Sequence, residues 1–138
     1  VHAGWRGTVN RILTKTLHRM QSAYGTEGTD VIACIGPGIS LDSFEVGDEV
    51  YEAFRTENFP MEYISVWKPE THKYHIDLWA ANRLQLSDFG VPPRQIENAG
   101  ICTYRQHEDF FSARRLGIKS GRILSGIMLN GQEKGERK

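Results

Sequence analysis

The sequence predicts an α+β fold of mixed α/β layers, in one domain over residues 1–138. Two long segments of helical period, 8–25 and 75–90, are separated by short apolar or alternating runs that suit strands. The two element types interleave without the strict alternation of a doubly wound parallel sheet. No repeat, low-complexity stretch or shift in composition marks a linker, and 138 residues suffice for one buried core.

The chain opens on "VHAGWRGT", which reads as the end of a strand at Val1 and His2, then a glycine turn. "TVNRILTKTLHRMQSAYG" follows as a helix, because Val9, Ile12, Leu13, Leu17 and Met20 recur at helical spacing. Thr8 suits its N-cap and Gly25 its end. After the loop "GTEGTD", the apolar run "VIACIGPG" predicts a buried strand entering a Gly-Pro-Gly turn. "DSFEVGDEVYEAFRTEN" predicts a helix with Phe44, Val50 and Phe54 inward, weakened at its start by Gly47. "MEYISVWK" predicts a strand and "PETHKY" a turn. "HIDLWAANRLQLSDFG" predicts a helix with Leu78, Ala81, Leu84 or Gln85, and Phe89 along it, Asp77 as cap and Gly90 as stop. "VPPRQIENAGICTY" gives a loop and then a short strand. Beyond it come a long loop over 105–121, a final strand over 122–130 and a solvated tail over 131–138.

Lysine plus arginine and aspartate plus glutamate both number 17, so nothing in the charge points to nucleic acid or an acidic membrane as partner. Two cysteines, Cys34 and Cys102, are too few for a disulfide framework, and both lie in apolar segments, as buried structural thiols do. No membrane-spanning run or signal peptide is visible, and the expected location is cytoplasmic.

Several residues carry chemistry. His2 stands before a glycine turn into a helix, where imidazoles act as general bases or metal ligands. Local pattern alone favours a terminal histidine without a role. Arg6, between Gly4 and Gly7, suits an anion site at a helix start or a surface ion pair equally. "FFSARR" offers Arg114 and Arg115 as forks for phosphate or carboxylate, against a solvated basic pair. In an extended loop the two point apart, so at most one of them would face a given ligand. His72, His75 and Asp77 are close in sequence but match no good ligand spacing, and they read as structural or solvated. "CIGPG" lacks the lysine and hydroxyl residue of a phosphate loop and reads as a turn.

Taken in order, "VHAGWRGT", "IGPGI", "FEVGDEV", "DLWAANRLQL", "CTY", "FFSARR" and "GR" resemble the C-terminal part of the YfiH/YlmD family, also called the laccase-domain or polyphenol oxidase family. The resemblance covers nearly the whole chain. Departures are "SLDSFEVG", where many members carry a second Gly-Pro and cysteines, and Ala113, where a tyrosine or histidine is frequent.

The resemblance implies a YfiH-like fold, incomplete here because the N-terminal part is absent. It also implies zinc held by two histidines and a cysteine, of which only His2 matches. The other two ligands belong to "VHG"-like and "TADC"-like motifs that this chain lacks, and neither Cys34 nor Cys102 matches the ligand cysteine. The implied activity is phosphorolysis of adenosine, inosine, guanosine or methylthioadenosine, with adenosine deamination. Arg6, Arg114 and Arg115 are the candidates for phosphate or substrate. Partners would be a purine nucleoside and phosphate, with no nucleic acid and no membrane. Alternatives are copper-dependent oxidation of phenols, hydrolysis of cell-wall precursors, and a catalytically incompetent fragment prone to self-association or to complementation by the N-terminal half.

Overall fold

The computed structural model describes residues 1–131, so the expected tail lies outside the described residues except for Gly131. Helices and strands form mixed layers, as the sequence predicts. Helices α1 (Trp5–Val9) and α2 (Ile12–Tyr24) lead to strand β1 (Ala33–Ile35). Strand β2 (Glu45–Val46), helix α3 (Asp48–Thr56), a single turn α4 (Met61–Ile64) and strands β3 (Ser65–Lys68) and β4 (Lys73–Ile76) make the middle of the chain. Helix α5 (Leu78–Phe89), strand β5 (Ile96–Asn98) and the single turn α6 (Ala113–Leu116) complete it.

Two small sheets result. One is antiparallel in the order β2-β4-β3, with Glu45 and Val66 both opposite His75. The other pairs β1 with β5 in parallel, and an isolated bridge between Gly38 and Cys102 extends it. Each sheet carries its own core. Phe44, Val46, Val50, Phe54, Phe59, Ile64 and Ile76 fill the first, and Leu17, Val31, Leu86, Val91 and Ile96 the second. Helix α5 belongs to both, giving Leu78 and Ala81 to one and Leu86 to the other. It is the shared spine of the molecule.

Asp77 caps α5 as expected, its carboxylate accepting from Ala80 N at 2.9 Å. Gly90 ends the helix with φ 99°, a left-handed conformation in which a side chain is strained. Gly28 meets the Gly90 backbone so closely that a Cβ would lie 2.3 Å from its carbonyl carbon. This pair seats the loop before β1 on the end of α5.

Several expected elements differ. No strand pairing occurs at Val1 and His2. The helix over 8–25 is broken into α1 and α2 at Arg11, whose φ is 54°. Arg11 is tied there by a bond from Nη2 to Glu57 O at 2.9 Å and by stacking over Phe59. Thr8 is therefore not a cap; it lies buried inside α1, with Gly4 at the N-cap. The helix over 42–58 starts only at Asp48. Phe44 and Val46 are buried two residues apart, which is strand period, and Val46 pairs with Tyr74.

The strand over 61–68 begins as α4, which buries Met61 and Ile64 at helical spacing. The expected turn over 69–74 yields Lys73 and Tyr74 to β4, as the following helix yields His75 and Ile76. The long loop contains α6. The final strand over 122–130 does not form among the described residues, and Leu124, Met128 and Leu129 stand exposed. Alternation is strand-forming only where a neighbour pairs with it, and here none does. No helix of the described residues is long and apolar enough to cross a membrane.

Candidate functional site

The first site element is the turn carrying His2. Gly4 has extended backbone, and the first helical bond runs from Thr8 N to Gly4 O at 2.8 Å. His2 is exposed and folds back on this turn, so that a Cβ on Gly4 would lie 3.2 Å from its Nε2. Trp5 packs against the first core, and the exposed Arg6 holds its guanidinium 4.5 Å from the centre of the Trp5 ring. Among the described residues no carboxylate pairs with Arg6.

The second element is a groove of about 300 Å³, lined by Asp42, Ser43, Glu45, His75, Tyr104 and Arg114. Strand β4 places His75 here and β2 places Glu45 opposite it. The His75 imidazole is buried, and its Nδ1 donates to Leu41 O at 2.9 Å, since a carbonyl can only accept. That leaves Nε2 facing Glu45 Oε2 at 3.7 Å. A hydrogen bond from the Thr71 side chain holds the Glu45 carboxyl below the usual carboxylate range, and Lys73 adds to the effect against the cost of desolvation.

Arg114 donates from Nη1 to Glu45 O at 2.8 Å and lies over the Phe44 ring, which leaves further N–H donors for a ligand. Arg115 stacks on Tyr104, one of the groove's lining residues, at 5.0 Å. The two arginines sit on a helical turn, α6, and not in an extended loop, and each stacks on a different ring. Successive residues are then about 100° apart. Ser112 holds the turn by accepting from Arg115 N at 3.3 Å. The groove is thus lined by Arg114 alone of the four candidate residues; Arg115, His2 and Arg6 are not among its lining residues.

The two cysteines part company. Cys34 is exposed, contrary to expectation, because no described residue covers the sheet face that it shares with the exposed Ile32. Cys102 is buried, with Sγ receiving bonds from Ser40 Oγ at 3.1 Å and Ser40 N at 3.4 Å. Burial pushes its thiol up, but the hydrogen bonds from Ser40, Ser43 and the Arg105 backbone outweigh this and bring it down to about 6. Ser43 lines the groove with its hydroxyl 3.6 Å from the sulfur, so Cys102 sits one side chain behind the groove wall.

Sequence reasoning missed Glu45 and the place of His75 in the groove, because these residues meet only through strand pairing. It also missed Asn82, and named Gln85 only as an alternative to Leu84; both are buried on α5. Their signal was present: two amides three residues apart on the apolar face of a helix need buried partners. Among the described residues no three His, Cys, Asp or Glu side chains converge to hold a metal ion, and none of them stands with His2 in such a group.

The model of the family described as multi-copper polyphenol oxidoreductase laccase matches residues 1–130. The chain belongs to this family. It is 65% identical over 130 residues to a purine nucleoside phosphorylase of Bacteroides thetaiotaomicron, covering 94% of this chain and 48% of that protein. It is 49% identical over 126 residues to adenosine deaminase RL5 of an unknown prokaryotic organism, covering 91% and 48%. Among solved structures, the hypothetical protein YfiH of Bacillus licheniformis superposes with a TM-score of 0.74 at 31% identity, over 83% of this chain and 43% of that one. The chain therefore spans about half the length of the laccase-family relatives it matches.

Proposed function

We propose that the protein carrying this chain is a zinc-dependent purine nucleoside phosphorylase that also deaminates adenosine, and that the chain supplies the C-terminal half of its domain. The 65% identity to a protein named for the first activity carries this reading, and the 49% identity to one named for the second supports it. His2 is proposed as one zinc ligand, with the others in the preceding half. The reading takes the protein to be cytoplasmic, with a purine nucleoside and phosphate as partners and neither nucleic acid nor membrane.

The groove supports the phosphate part. In phosphorolysis a phosphate oxygen bonds to the ribose C1′ while the bond from C1′ to the purine nitrogen breaks. The electron pair leaves with the purine, which takes a proton, and the other product is ribose 1-phosphate. The reaction needs an anion fixed beneath a centre that becomes positively charged. Arg114 suits that task because it is already held by Glu45 O and Phe44, so little reorganisation remains. Arg115, stacked on Tyr104, is proposed to share the load, and Arg6 to serve the His2 end.

The test is phosphate-dependent release of purine from adenosine, inosine, guanosine and methylthioadenosine by the full-length protein. Arg114→Ala is expected to raise KM for phosphate about tenfold or more, the loss of a charge-assisted hydrogen bond. Purine release that is independent of phosphate, or oxidation of phenols without any release of purine, would overturn the reading.

A further inference from the structure

Helix α5 carries Asn82 and Gln85 on its buried face, beside Leu78, Ala81 and Leu86. Both are almost fully buried, at 7% and 1% exposure. Their amides reach the segment that holds His2 and Arg6. Asn82 Nδ2 donates to Thr8 Oγ1 at 3.0 Å and to Leu78 O at 2.8 Å. The Thr8 hydroxyl, itself wholly buried, passes its own hydrogen to Ala3 O at 3.1 Å. Gln85 Nε2 donates to Thr8 O at 3.1 Å, while its Oε1 accepts from Thr14 N at 3.2 Å and Thr14 Oγ1 at 3.1 Å.

A relay of hydrogen bonds therefore runs from the spine helix through Thr8 to the residue next to His2. Gln85 bonds to both sides of the break at Arg11, joining Thr8 on α1 to Thr14 on α2. Apolar side chains would fill this volume without specifying where α1 stands. Buried amides do specify it, because a donor left unpaired there costs about 1–3 kcal/mol. The placement of α1 satisfies Asn82 Nδ2, Gln85 Nε2 and the Thr8 hydroxyl together, while the buried Asn82 Oδ1 has no partner among the described residues.

We propose that Thr8, Asn82 and Gln85 are positioning residues that fix the His2 turn for ligation. The proposal rests on the reading of His2 as a zinc ligand. None of the three touches the imidazole; they act through the Ala3 carbonyl and the start of α1.

The test uses the full-length protein with Thr8→Val, which keeps the shape and removes the hydroxyl, and Thr8→Ser, which keeps the hydroxyl and removes a methyl. Zinc affinity is read by competition with a chelator, and the hold on the turn by amide hydrogen exchange over residues 2–7. Thr8→Val is expected to weaken zinc binding, by less than the about 10–100-fold that follows loss of a ligand's direct partner, because Thr8 acts through the Ala3 carbonyl. It should also speed exchange in the turn and leave KM for the nucleoside unchanged. Thr8→Ser should bind zinc nearly as the unaltered protein does. A packing role predicts the reverse order, with valine harmless and serine damaging, and that result overturns the proposal.

Gln85→Met removes the clamp from a neighbouring position and is expected to act in the same direction; it decides the matter if Thr8→Val does not fold. His2→Ala separates the two claims. Zinc lost in His2→Ala but bound normally in Thr8→Val sinks the positioning role and leaves the ligand reading standing. Zinc retained in His2→Ala sinks the ligand reading, and unchanged exchange in Thr8→Val then disposes of the positioning role as well.

Discussion

Cys102 is the residue whose chemistry the apolar segment around it conceals. A buried thiol among hydrophobic neighbours is ordinarily inert and protonated. Here Ser40 and Ser43 turn it toward the thiolate, at about 6 against an ordinary value of 9.0. The folded state therefore binds its proton less tightly than the unfolded chain does. The thiolate stabilises the fold fully above about pH 9, and that contribution is lost as pH falls through 6. Urea midpoints measured from pH 6 to 9 are expected to rise more in the unaltered protein than in Cys102→Ser, which does not titrate. Equal slopes in the two proteins would contradict the assignment. No sequence pattern announces this thiol, because its partners come from the turn after β1, far away in the chain.

Element by element, legibility follows length and capping. Helix α5 could be read in advance because its period persists over several turns and both ends are marked, by Asp77 and Gly90. The segment around Phe44 could not. Three residues with two apolar side chains fit strand and helix equally, and only pairing with Tyr74 and His75 decides between them. The break at Arg11 was equally hidden, since it depends on Glu57 O and the Phe59 ring. The contact between Gly28 and Gly90 gives a test at this scale. Gly28→Ala drives a Cβ into backbone that has no rotamer with which to move aside. It is expected to destabilise the fold by about 1–3 kcal/mol, seen as a lowered Tm. An unchanged Tm would mean that the loop before β1 is not seated on α5.

For the whole molecule, the α+β class was legible in the interleaving of elements, and the His2 turn in the sequence "HAGWRGT". The groove was not, because Asp42, His75, Tyr104 and Arg114 are gathered from separate parts of the chain by strand pairing and the α6 turn. What the described residues leave unsatisfied is as informative as what they satisfy. No metal-binding cluster forms around His2, and Leu124, Met128 and Leu129 have no covering layer. A chain spanning about half of its relatives is expected to show both features if the remaining half completes the site. Metal content by mass spectrometry, on the 138-residue chain beside the full-length protein, tests this most directly. The expected result is about one zinc in the full-length protein and none in the 138-residue chain, with His2→Ala abolishing the former, since a structural or catalytic zinc needs at least three protein ligands. Stoichiometric zinc in the 138-residue chain by itself would contradict the account, because its ligands would then lie among the other histidines and the two cysteines.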